Sequence, residues 1–136
     1  MDNQTGRVKP DLFFMKYIAA LFTLFIIGVV ILADLDAIPS SVRALYDFQY
    51  GDKLGHFILY GLLNFLLTLT FIRPLPNRTS NRVALSVGLV LALAVGVEEL
   101  SQRYFSARTF DLIDLSASYL GLLVGGWAAL KTKNKR

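Results

Sequence analysis

The sequence predicts an all-α, polytopic membrane protein: a bundle of four transmembrane helices with both termini in the cytoplasm. Three observations carry this reading. The 136-residue chain is 54% hydrophobic, and its apolar residues fall in long blocks rather than at the short intervals of a soluble core. Four of these blocks approach or reach the roughly 20 residues that a helix needs to cross a hydrocarbon layer about 30 Å thick. Basic and acidic residues also alternate from one connecting segment to the next, the pattern that the positive-inside rule gives for an even number of crossings.

Residues 1–12 form a polar tail with Arg7 and Lys9 and read as cytoplasmic. The apolar run that follows, about 13–33, exceeds the roughly 7–15 residues of a signal-peptide core, so a retained first helix is expected. The first loop, 34–53, carries Asp34, Asp36, Asp47 and Asp52 against only Arg43 and Lys53. The second span is about 54–72. After it, RPLPNRTSNR contains two prolines and clustered turn formers and reads as a tight connection between antiparallel helices.

The third span, about 83–102, is apolar to Val97 and then carries Glu98, Glu99 and Gln102 into the interface or the bundle interior. The fourth is about 112–130. A basic tail, 131–136, closes the chain, so 13–130 reads as one membrane domain with no internal repeat. Ten of the 14 basic residues sit on the side assigned to the cytoplasm and eight of the ten acids on the other. The net charge of +4 is therefore a topology signal, and no nucleic-acid partner is expected. Small residues recur every four positions at Gly88, Ala92 and Gly96 and at Ala117, Gly121, Gly125 and Ala129. This spacing predicts that the third and fourth helices pack through these faces.

Two clusters carry the candidate chemistry. In DKLGHFILY, residues Asp52, His56 and Tyr60 fall at i, i+4 and i+8, Asn64 continues the row, and Lys53 flanks it. All would share one face of a helix at its outer end. From Glu99 the chain reads ELSQRYFSARTFDLIDLSASYLG, with Glu99 one turn before Gln102, Asp111 one turn before Asp114, and Arg108 between the pairs. The topology brings both clusters to the same outer rim.

With no cysteine, disulfides, thiolate metal sites and thiol nucleophiles are excluded, and no serine nucleophile motif is present. An enzymatic reading takes Glu99 or Asp114 as general base and His56 as acid or base, with Lys53 and Arg108 neutralising an anionic substrate. A divalent cation would call on His56 with Asp52, Glu99 or Asp114; one imidazole with carboxylates suits Mg or Mn better than zinc, and no recognised ligand spacing occurs. No cofactor is expected. A binding reading has Lys53, Arg103 and Arg108, with Tyr60, Tyr104 and Tyr119, holding an anionic headgroup. The plainest alternative is structural: Asp52, Lys53, Glu99, Arg108 and Asp114 pair with one another and tie three helix ends together.

These residues resemble the VanZ-like family, small polytopic membrane proteins named for a teicoplanin-resistance protein. The family pattern has Asp-Lys, His and Tyr at a helix start, then Glu-x-x-Gln, Arg, Asp and Asn-x-x-Gly-x-x-x-Gly. This chain supplies Asp52, Lys53, His56 and Tyr60, then Glu99, Gln102, Arg108, Asp114, Gly121 and Gly125. It departs at Ser118, where the family has Asn; a hydroxyl is shorter and lacks the amide's second donor. The resemblance covers roughly 52–125.

The resemblance implies a multi-pass protein of the bacterial inner (cytoplasmic) membrane, linked in some members to reduced glycopeptide susceptibility. Its ligand would be a membrane lipid, or a lipid-linked or cell-wall precursor, held at the extracytoplasmic face. Glu99, His56 and Asp114 are then the candidate catalytic residues. Asp52, Lys53, Tyr60, Gln102, Arg108, Asp111 and Ser118 are the candidate ligand contacts.

Overall fold

The computed structural model describes residues 10–105 and 109–135. It is helical, with no strand among the described residues. Four long helices, α1 (Pro10–Asp34), α3 (Gly51–Ile72), α4 (Asn77–Ser101) and α5 (Leu112–Asn134), are joined by short connections. A four-residue helix, α2 (Ser40–Arg43), interrupts the first loop, and a 3-10 turn, Gln102–Tyr104, extends α4. All four long helices are long and apolar enough to cross a membrane, which fits a multi-pass membrane protein.

The helix ends differ from expectation where local chemistry lengthens a helix beyond its apolar block. Residues 77–82 belong to α4 rather than to the preceding loop. Pro76 supplies extended backbone at the N-cap and has no N–H to satisfy there, after which polar residues in water propagate the helix. Ser80 Oγ also donates to Pro76 O at 2.9 Å. In the same way α3 starts at Gly51 rather than at 54, with Asp52 in its first turn, where a carboxylate complements the helix dipole. Gly51 is required at this corner, because a Cβ there would collide with the Tyr46 carbonyl.

Contacting residues rise together along α3 and α5, from Lys53 with Asp114 through His56 with Ser118 to Asn64 with Leu122, so these two helices run parallel. A Cβ at Gly121 would overlap the Phe57 carbonyl and one at Gly125 the Gly61 carbonyl. The glycine ladder of α5 therefore lets it approach α3 and not α4, which corrects the sequence-based pairing. Toward α4 the contact is through Tyr119 instead: its hydroxyl donates to Ala92 O at 3.2 Å and lies over Gly96. The α4 small residues thus accommodate an aromatic side chain rather than a second backbone.

Helix α1 packs mainly against α3. Met15 joins Leu69, Ile72, Ala84 and Ala129 in one buried cluster, and Ile26 joins Tyr60, Leu63, Val95 and Leu122 in another. The order of these contacts makes α1 antiparallel to α3. The outward faces are strongly apolar, with Leu21, Leu24, Leu93, Leu123 and Trp127 all exposed, as a lipid-facing surface would be. Inside, Asn64 Nδ2 donates to Leu122 O at 2.7 Å and its Oδ1 accepts from Thr68 at 2.8 Å, both residues being buried. Gly126 leaves room for that amide, since a Cβ there would stand 3.1 Å from Asn64 Nδ2.

Candidate functional site

The start of α3, the end of α4 and the start of α5 meet at one end of the bundle, and nearly all the described candidate residues gather there. Asp111 organises the meeting point. As N-cap of α5 it accepts from Ile113 N–H through Oδ1 at 2.8 Å, satisfying a donor that the helix start would otherwise leave open. Its other oxygen accepts from Lys53 Nζ at 3.3 Å. Its own N–H donates to Glu99 Oε1 at 3.0 Å. The bonds to its carboxyl, that from Ile113 N–H foremost, hold it below the usual carboxylate range despite opposing desolvation.

Lys53 Nζ also donates to Asp114 Oδ1 at 3.1 Å, so one ammonium is held between two carboxylates of the α5 N-terminus. All three groups are half-buried. The clamp links α3 to α5 and occupies the amine that sequence reasoning offered to an anionic ligand. It also engages Asp114, leaving Glu99 as the less encumbered of the two candidate bases.

Glu99 is 1% exposed. Its Oε1 takes the Asp111 N–H, while Oε2 has no hydrogen-bond partner among the described residues. It lies within electrostatic range of Glu98, His56 and Asp114. Burying a carboxylate oxygen without a donor costs several kcal/mol at the order-of-magnitude level.

His56 is half-buried. Its Nδ1 lies 3.1 Å from Ser118 Oγ, and its ring meets Tyr60 edge-on with centroids 5.9 Å apart. Ser118 is fully buried and donates to Asp114 O at 3.0 Å. Its hydroxyl is thus occupied inside the protein, where sequence reasoning placed a ligand contact. Tyr60 is buried in the second core cluster. Gln102, 2% exposed, donates to Glu98 Oε1 at 2.8 Å. Glu98 is the participant that sequence reasoning left out of the site; its position four residues before Gln102 was the available signal.

One described candidate does not join the cluster. Asp52 is exposed at the first turn of α3, although it falls on the same helical row as His56. Arg108 lies outside the described residues. Arg103 stacks over Phe110, 4.7 Å from its ring centroid, at the same end of the molecule. Among the described residues no three His, Asp or Glu side chains are grouped as metal ligands. A shallow apolar cleft of about 350 Å³ opens between α3 and α5 over Gly61, Gly121 and Gly125. No residue of the polar cluster lines it. The chain matches no protein-family model, no characterised protein and no solved structure.

Proposed function

We propose that this chain is a VanZ-like envelope protein of the bacterial inner membrane whose polar site faces the extracytoplasmic side. There it binds or modifies an anionic lipid-linked or cell-wall-precursor ligand, with altered glycopeptide susceptibility as the cellular consequence. The observation that carries a ligand site is Glu99: a fully buried carboxylate with one oxygen unpartnered among the described residues, close to an imidazole. A group kept in that state at such cost is suited to accept a proton or a donor from a ligand. Glu99 is the base in the modification reading and His56 the acid that returns a proton to the leaving group. Since Lys53 is committed to Asp111 and Asp114, the anionic part of a ligand falls to Arg103 and Arg108.

The Lys53 clamp favours a second reading, a membrane scaffold or binding protein whose polar cluster only ties α3 to α5. Incubation of the purified protein with native envelope lipids, read by mass spectrometry, separates the two. A lipid that changes mass with the wild type but not with Glu99→Gln establishes an enzyme. A lipid that co-purifies unchanged with both proteins removes the acid and base roles and leaves binding. Absence of both supports the scaffold.

A further inference from the structure

The contact between His56 and Ser118 bears on which ring nitrogen carries the proton. Ser118 Oγ lies 3.0 Å from Asp114 O and 3.1 Å from His56 Nδ1. A carbonyl oxygen can only accept, and a serine hydroxyl has one proton. Placed in the usual back-bond of a serine within a helix, that proton goes to Asp114 O, 3.0 Å away. Toward the imidazole Ser118 then presents only lone pairs, so Nδ1 must be the donor.

We infer that Ser118 is a positioning residue that holds His56 in the Nδ1–H tautomer, leaving Nε2 as the basic nitrogen of the site. This is opposite to the form that predominates for free neutral imidazole, and the tautomer is set by the bond that the other nitrogen makes. Glu99, the carboxylate within electrostatic range of the ring, has Oε2 without a hydrogen-bond partner among the described residues. The polar groups set against the ring are Tyr60 on its own helix, Glu99 from α4 and Ser118 from α5. Of these, Ser118 is the one placed to bond Nδ1.

The consequence deepens the proposed function, on which it rests for its chemical meaning. Nε2 and Glu99 Oε2 both act as acceptors, so the group they receive is a hydrogen-bond donor: a hydroxyl, a water or a primary ammonium. A phosphate or carboxylate oxygen would meet lone pairs there and is disfavoured at this position. In the modification reading the proton that Glu99 takes from the ligand passes to Nε2, which returns it to the leaving group.

His56 is the only histidine in the sequence, so the full-length protein labelled with 15N-histidine and held in lipid nanodiscs gives one pair of ring nitrogens. The test is read at the alkaline plateau of a pH series, where the two ring shifts no longer change with pH. The expected spectrum has Nδ1 protonated and Nε2 bare, with the two exchanging character in Ser118→Ala. Ser118→Asn, whose amide oxygen can accept from Nδ1, should restore the wild-type pattern. A wild-type spectrum with protonated Nε2 overturns the inference outright. So does a protonated Nδ1 that persists in Ser118→Ala, because another group would then hold the tautomer. This readout needs no substrate, and a failure of the lipid experiment leaves it unaffected.

Discussion

At the level of single residues the site separates into groups that satisfy each other and one that is left wanting. Lys53 bridges two carboxylates, Asp111 and Asp114, so removing the lysine leaves like charges facing each other, while removing it together with Asp114 does not. Lys53→Met should therefore lower the thermal unfolding midpoint more than the double change Lys53→Met with Asp114→Asn. The double variant falling lower than the single one would show that the pair is not a closed unit. Asp111 gives the clamp its pH dependence. Its folded-state carboxyl titrates below the usual carboxylate range, so its contribution is present above the unfolded value of about 3.9 and is lost as pH falls through the lower folded value. Unfolding midpoints followed from pH 6 to pH 3 should show a drop below about pH 4 that is smaller in Asp111→Asn. Glu99 behaves differently because its Oε2 has no partner to lose among the described residues. If it is the base, Glu99→Gln costs about 10²- to 10⁴-fold in turnover, while the protein stays at least as stable as the wild type.

At the level of elements, glycine has opposite meanings in α1 and α5. Gly125 faces the Gly61 backbone with no space for a methyl group, whereas a Cβ added at Gly28 would meet nothing within 4 Å. Gly125→Ala should cost roughly 1–3 kcal/mol, because rigid backbone must move. Gly28→Ala should be neutral or stabilising by up to about 1 kcal/mol, since only helix propensity changes. Reversible unfolding in mixed micelles measures both, and equal effects would mean that the α3–α5 seam is looser than its geometry states. The same seam shows what a sequence reading can and cannot reach. Four long apolar blocks and a four-residue glycine spacing were legible, because length and period are properties of the string. The partner of that glycine ladder was not, since small residues permit close approach without naming the neighbour, and α4 carries a similar stripe that receives Tyr119 instead. The different depths of Asp52 and Ser118 were illegible for a related reason. Helical spacing gives a common face but not depth, and one residue is exposed while the other is sealed between two partners.

For the whole molecule the open quantity is direction across the bilayer, and the structure supplies a pair of opposite ends on which to measure it. At one end Lys53, Glu99, Asp111 and Asp114 gather where α3 and α5 begin. At the other, Lys133 donates to Leu75 O and Ser80 Oγ, and Arg78 and Arg82 occupy the exposed first turns of α4. Lys and Arg near helix ends are retained in the cytoplasm far more strongly than acids are expelled from it, so the Lys133 end should be cytoplasmic and the Glu99 site extracytoplasmic. The absence of native cysteine makes a direct measurement clean. Ser40 in α2 and Thr79 in α4 are both exposed and stand at opposite ends. In intact spheroplasts Ser40→Cys should react with a membrane-impermeant maleimide, and Thr79→Cys should react only after permeabilisation. The reverse pattern would put Glu99 and His56 in contact with the cytoplasm. A wall precursor on the outer leaflet would then be out of reach, and the proposed ligand class would have to be replaced by one made inside the cell.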